Sequence, residues 1–273
     1  WQTDIWLGYA NFFEQDSTAN DILFLDAERL LTVATVRYGV SPSVEVGGRV
    51  TLETDWGGFL DGFMVKFHRV LGLGTRNRPR FPESQVRQTL KDGDGTVLVD
   101  IPSANPAVTE ARLFVTWRPW RASDGSGAFS LRSVVRIPTR TLTVGSERTD
   151  VGLMALGRAR WRGWYVHGMA GGATVRRDAS MAHLLRDRKW FAMAGLERPL
   201  RPGLSGVVEL TGETSILHDR NDHDVDGAPT NLVVGLVGRT SGGWRWQVGM
   251  QEDVPPKGPS LDFTLQLALS RRW

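Results

Sequence analysis

The sequence predicts an all-β chain: a transmembrane antiparallel β-barrel of about twelve strands with short turns on one rim and long loops on the other. Three observations predict it: alternation of side-chain character at period two, connections that alternate in length, and tryptophans gathered beside the short connections. The alternation is clearest in the last segment, LDFTLQLALSRRW. Its odd positions read Leu261, Phe263, Leu265, Leu267, Leu269, Arg271 and Trp273, and its even positions Asp262, Thr264, Gln266, Ala268, Ser270 and Arg272. Successive strand residues point to opposite faces, so one face meets an apolar medium and the other a polar one.

Similar stretches fall at 2–13, 27–40, 43–55, 106–118, 128–138, 150–161, 164–177, 189–199, 204–216, 230–240, 244–254 and 261–273. Most reach the ~9–11 residues that cross a membrane when tilted. The short connections are SPS at 41–43, PWRASDGSG at 119–127, RG at 162–163, LRPG at 200–203 and SGG at 241–243. Gly, Pro, Asp and Ser supply their turn chemistry. Longer connections lie between them, at 14–26, 56–105, 139–149, 178–188, 217–229 and 255–260. Such asymmetry places the short turns and both termini on the periplasmic side and the long loops outside.

Tryptophan placement agrees. Trp1, Trp117, Trp120, Trp161, Trp164, Trp244, Trp246 and Trp273, joined by Tyr38, all sit beside the short-turn rim. Amphipathic rings concentrate where headgroups meet hydrocarbon, whereas a soluble sandwich or lipocalin-like barrel has no reason to crowd them at one end. Composition fits without deciding: 41% hydrophobic residues and a mean hydropathy of −0.24 suit a wall whose strands are half polar. Nowhere does the chain hold the ~18 consecutive apolar residues of a membrane helix. With 0 Cys there is no disulfide, thiolate or Cys-metal chemistry. The 33 basic and 30 acidic residues are interspersed, which argues against nucleic acid as a partner. A first residue of Trp rather than Met is compatible with a removed signal peptide.

The closing strand, with its aromatic last residue in phase with the apolar face, resembles the terminal signal of bacterial outer-membrane barrels. That resemblance implies the bacterial outer membrane as location, and the barrel-insertion machinery, outer-membrane lipids and lipopolysaccharide as partners.

The polar phase carries charges of both signs. Arg132, Arg136, Arg158 and Arg160 on two adjacent strands read as a cationic stripe that attracts anions, with Glu197, Glu209 and Glu213 elsewhere on the inner wall. The alternative is that inward Arg, Glu and Asp pair with one another and simply brace the interior.

Residues 56–105 break the hairpin rhythm, and loops of this length are commonly functional. Phe59, Leu60, Phe63, Met64, Phe67, Val70 and Leu71 recur at helical spacing, predicting a short amphipathic helix. Asp61 and His68 share a face of it, about two turns apart. Such a helix can lie on the outer leaflet, cap the mouth or plug the lumen. Arg76, Arg78 and Arg80 follow, and either grip lipid phosphate or anionic sugar, or are merely solvated.

The stretch RYGVSPSVEVGGRVTLETDWGGFLDGFMVKFHRVLGLGTRNR resembles the signature of an uncharacterised family of Gram-negative outer-membrane proteins, with its Gly-Gly-x-x-Asp-Gly-Phe segment followed by Phe-His and Gly-Leu. The strand rhythm from Thr149 to Trp273 is similar to the same family. The resemblance implies one outer-membrane barrel domain over residues 1–273 and no established activity. It singles out Gly57, Gly58, Asp61, Gly62, Phe67, His68 and Arg78 as loop or gate residues.

Enzyme motifs are largely missing. An outer-membrane phospholipase of similar strand number carries His followed two residues later by Ser, and His68, His167, His183, His218 and His223 are not so followed. Asp61 with His68 is the remaining acid–base pair to consider for a lipid-modifying enzyme. In DRNDHDVDG, Asp222, Asp224 and Asp226 precede Gly227 at the spacing that opens a Ca2+ loop, but position 233 is Val where the closing carboxylate belongs. The expected function is passage or handling of a small or amphipathic solute gated by the 56–105 loop. A non-conducting assembly component and a surface lipid enzyme are the alternatives.

Overall fold

The computed structural model describes residues 1–15, 23–72, 78–91, 95–101, 106–138, 149–175, 185–215, 227–254 and 263–273. The strands are β1 (Gln2–Gln15), β2 (Leu23–Gly39), β3 (Val44–Trp56), β4 (Arg87–Lys91), β5 (Val97–Ile101), β6 (Ala107–Arg121) and β7 (Gly127–Pro138). They continue as β8 (Asp150–Trp161), β9 (Trp164–Thr174), β10 (Arg188–Arg201), β11 (Leu204–Glu213), β12 (Thr230–Arg239), β13 (Trp244–Val254) and β14 (Phe263–Arg272). One helix, α1 (Asp61–Leu71), and a 3-10 turn at Arg78–Arg80 lie in the long insertion.

Every barrel neighbour is antiparallel and, apart from the β3–β6 step over the insertion and the β1–β14 closure, sequence-adjacent. β1 closes the ring by pairing with both β2 and β14, the latter in unbroken register from Gln2 opposite Arg272 to Asn11 opposite Phe263. The result is a closed twelve-strand antiparallel barrel, with β4 and β5 as a two-strand extension of its edge. A closed ring leaves no unpaired wall strand in lipid, where backbone polar groups have no water to bond.

The expected strands all form, with shifted ends. β1 and β2 run further than expected toward the outer rim, and Leu23–Asp26 of β2 pairs with β4 inside the insertion. β4 and β5 fall in the stretch that the sequence predicts as a long loop, because five residues are too few for a periodic signal. The short turns are as anticipated. Arg162 and Gly163 have φ of 49° and 85°, the two positive values that a tight hairpin requires. At 122–126 the Ser126 hydroxyl and then its N–H hold the Asp124 carboxyl below the usual carboxylate range.

Long-reaching ion pairs identify the concave face. Arg132 on β7 meets Glu45 on β3 at 3.6 Å, passing over β6, which is feasible only from inside a curved wall. By alternation, Leu265, Leu267 and Leu269 then face outward and are exposed, while Gln266 faces inward and donates to Gln251 at 2.8 Å. Around the short-turn rim Trp1, Trp117, Trp120, Trp161, Trp244 and Trp273 are all exposed, as an interfacial girdle demands.

Candidate functional site

Two constellations of polar side chains stand out, one on each face of the wall. The first holds α1. Asn11 on β1, Asp26 and Glu28 on β2 and Glu252 on β13 share the outward phase of their strands, since Asn11 is paired with Glu28 and with Phe263, and Glu252 with Phe263. Polar groups on a lipid-facing phase are costly unless satisfied. Here the insertion satisfies nearly all of them, the buried Glu252 Oε2 being without a hydrogen bond among the described residues. Glu28 accepts from Leu60 N–H and from the Tyr9 hydroxyl, which in turn accepts from Trp56 Nε1 at 3.2 Å. Asp61 accepts from Asn11 Nδ2 at 2.9 Å, from Arg78 Nε at 3.1 Å and from the Ser84 N–H at 2.8 Å. Arg78 also donates from Nη1 to Asp26 at 2.7 Å, and its guanidinium lies 5.0 Å from the Phe13 ring centroid. His68 Nε2 and Glu252 Oε1 are 2.9 Å apart. Leu60, Met64 and Phe67 pack with Phe263 and Tyr9 as the apolar part of the same contact.

The glycines that the sequence singled out follow from this packing. Gly58 has φ +65°, and a Cβ there would stand 1.8 Å from the Glu28 carboxyl carbon; one on Gly57 would stand 2.0 Å from the Ser84 carbonyl oxygen. Both let the chain turn directly onto the polar anchors. Gly62 has only the Glu83 carboxylate within van der Waals range, so no such restriction holds there. Arg78 is a buried structural cation rather than a free grip for phosphate. Arg80 is exposed, and Arg76 lies outside the described residues. Asp61 and His68 do not meet as an acid–base pair, because each is tied to a different partner.

Sequence reasoning missed Asn11, Asp26, Glu28 and Glu252. The signal was present: each interrupts the apolar phase of its strand near the outer rim. All described anchors of α1 are therefore on the outer wall. Of the three placements open to the helix, it takes neither the mouth nor the lumen.

The second constellation lines the lumen. On the inner phase Arg49, Arg112 and Arg136 occupy one cross-strand row, Arg49 paired with Arg112 and Arg112 with Arg136. Arg112 is 2.7 Å from Glu110, and Arg136 lies 2.8 Å from Asp150 and 3.9 Å from Glu110. Arg132 donates to Thr116 at 2.8 Å and stacks 4.5 Å from the Phe114 centroid. The expected stripe is thus divided. Arg132 and Arg136 belong with β3 and β6, whereas Arg158 and Arg160 sit toward the periplasmic rim over the Tyr165 ring, at 4.7 and 5.9 Å. Glu197 is 3.3 Å from His167, Glu209 lies in the field of His167 and Arg245, and Glu213 holds Lys189 at 2.7 Å. Asp222, Asp224 and Asp226 lie outside the described residues. Among those described, no three His, Asp or Glu side chains converge as a metal site.

A closed twelve-strand ring with an apolar outer phase, an aromatic girdle and a charged inner wall defines an outer-membrane-type β-barrel protein. The chain belongs to the family described as protein of unknown function (DUF3187), whose model matches residues 1–273. Among solved structures it is similar to an outer membrane channel from Pseudomonas putida F1, with 14% identity and a TM-score of 0.62 over 99% of this chain and 94% of that one. The NanC porin is similar at 7% identity and a TM-score of 0.56, over 99% of this chain and 100% of that one. The KdgM porin follows at 6% and 0.51, over 100% and 99%. At such identities the likeness is one of fold. No curated protein matches the chain in sequence.

Proposed function

We propose that this protein is a channel of the bacterial outer membrane that passes small solutes through its lumen, inserted by the barrel-insertion machinery and surrounded by outer-membrane lipid and lipopolysaccharide. The observation that carries this reading is the exposure of charged side chains on the inner wall. The side chains of Arg112, Arg136 and Arg132 remain 37%, 28% and 23% exposed, although all point inward. A lumen packed shut as a core would bury such groups to the extent seen at Arg78, which is 6% exposed. Water reaching charged walls along a closed ring is the minimum requirement of a conduction path.

The insertion has a different part in this proposal from the gate expected of it. Its described anchors grip the outer wall, so it braces the barrel and meets lipid. The test is single-channel recording of the purified protein in planar bilayers with KCl. Steady unitary current is expected, and silence from demonstrably folded protein overturns the reading in favour of a non-conducting component.

A further inference from the structure

We propose that the lumen holds a binding site for an apolar-bodied monocarboxylate, with Arg49 as the residue that takes the carboxylate. The proposal rests on the channel reading above and names the class of solute the path selects.

Like charges placed directly opposite one another on neighbouring strands are destabilising, yet Arg49, Arg112 and Arg136 stand in one row. Their neighbours neutralise most of the charge. Arg112 and Arg136 share Glu110, Arg136 has Asp150, and Arg132 has Glu45. Four arginines meet three carboxylates in this group, while Arg29 with Glu53 and Asp55 carries the opposite excess further along β2 and β3. Arg49 is the arginine left over: among the described residues it makes no ion pair, its Nε has no hydrogen-bond partner, and it sits in the field of Arg112, Arg132 and Glu110. A guanidinium without a carboxylate partner is a fork open to a planar two-oxygen anion. One unpaired guanidinium suits a single carboxylate.

The wall next to the cationic group states what the rest of the solute is like. Met154 on β8 is paired with Arg132, and beyond it the inward phase of β8 to β10 carries Leu156, Met169, Phe191 and Met193. All five are half-buried and so open to a solute. A cationic group beside an aliphatic and thioether-rich patch favours a solute with a charged head and an apolar body over a hydroxyl-rich sugar acid, whose hydroxyls would find few partners there.

The test compares phenylacetate, acetate and 2-phenylethylamine added to the full chain in planar bilayers, with isothermal calorimetry on detergent-solubilised protein in parallel. Phenylacetate is expected to bind and to interrupt the KCl current at concentrations about tenfold or more below those at which acetate or the amine acts. Arg49→Gln is expected to remove that preference, and Met169→Gln to bring phenylacetate and acetate together; heat-dependent migration in gels reports that both variants fold. A conducting channel that treats phenylacetate and acetate alike, or an Arg49→Gln variant that keeps the preference, overturns the proposal and leaves conduction standing. If the chain is silent in KCl the channel reading falls instead, and calorimetry decides this one: phenylacetate binding lost in Arg49→Gln upholds the site, and its absence from the unmodified chain overturns it.

Discussion

At the scale of single residues, Arg78 is the group on which most of the outer-wall packing converges. Its guanidinium serves two carboxylates, Asp26 and Asp61, whose side chains are 2% and 4% exposed, while lying against the Phe13 ring. Breaking a buried pair costs more than the pair gains, because the survivor is left charged and dry. Arg78→Met leaves two such survivors. It is expected to lower stability by about 3–5 kcal/mol, read as the urea midpoint of barrel unfolding in lipid vesicles. Asp26→Asn is expected to cost least, since Asp26 meets Arg78 alone among the contacts above, while Asp61 also serves Asn11 and the Ser84 N–H. An unchanged midpoint in Arg78→Met would refute the cluster as the anchor of the insertion.

At the scale of elements, α1 is anchored by polar groups and leaves apolar ones open at its margin, where Phe63 and the preceding Phe59 touch Phe263 and Tyr9 and are otherwise uncovered. Asp61, Met64 and His68 face the wall and are buried, whereas Phe59, Phe63 and Val70 are 74%, 48% and 85% exposed, with Lys66 and Arg69 between them. Apolar side chains facing outward beside a lipid-facing wall, interspersed with cations, are suited to the border between acyl chains and phosphates. The absence of cysteine allows a clean test: a nitroxide attached at Phe63→Cys should collide with dissolved oxygen more than with a water-soluble nickel chelate, and one at Arg69→Cys should do the reverse. Equal, chelate-dominated collision at both sites would place the helix in water and sink this orientation. The helix itself was legible in the sequence, from the spacing of Phe59, Phe63, Met64 and Phe67. Which side faces inward was not, because periodicity locates an apolar stripe without saying whether protein or lipid meets it. The barrel strands were easier. Lipid on one side and water on the other enforce a strict period of two, and turn residues such as Arg162-Gly163 mark the ends. Pairing partners such as Arg78 with Asp26 are 52 residues apart, a separation about which local pattern says nothing.

At the scale of the whole molecule, the two polar constellations lie on opposite faces of one wall, so the insertion and the conduction path are separable. Joining β3 directly to β6 through a short turn would remove α1, β4 and β5 while leaving the ring order intact. It would also strand Asn11, Asp26, Glu28 and Glu252 on the lipid-facing phase. Uncompensated acids there cost up to a few kcal/mol each, depending on depth, so the deletion is expected to lower the unfolding midpoint sharply. Adding Asn11→Leu, Asp26→Val, Glu28→Leu and Glu252→Leu to the same deletion should recover much of the loss, because the outer phase then becomes uniformly apolar. Unitary KCl current should stay at the level of the full chain in both versions, since no described side chain of α1 reaches the inner face. A gate would behave differently: its removal would raise the current or lengthen openings, whether or not stability was restored. The pair of readouts, midpoint and current, therefore separates a brace on the outside of the wall from a lid over the path through it.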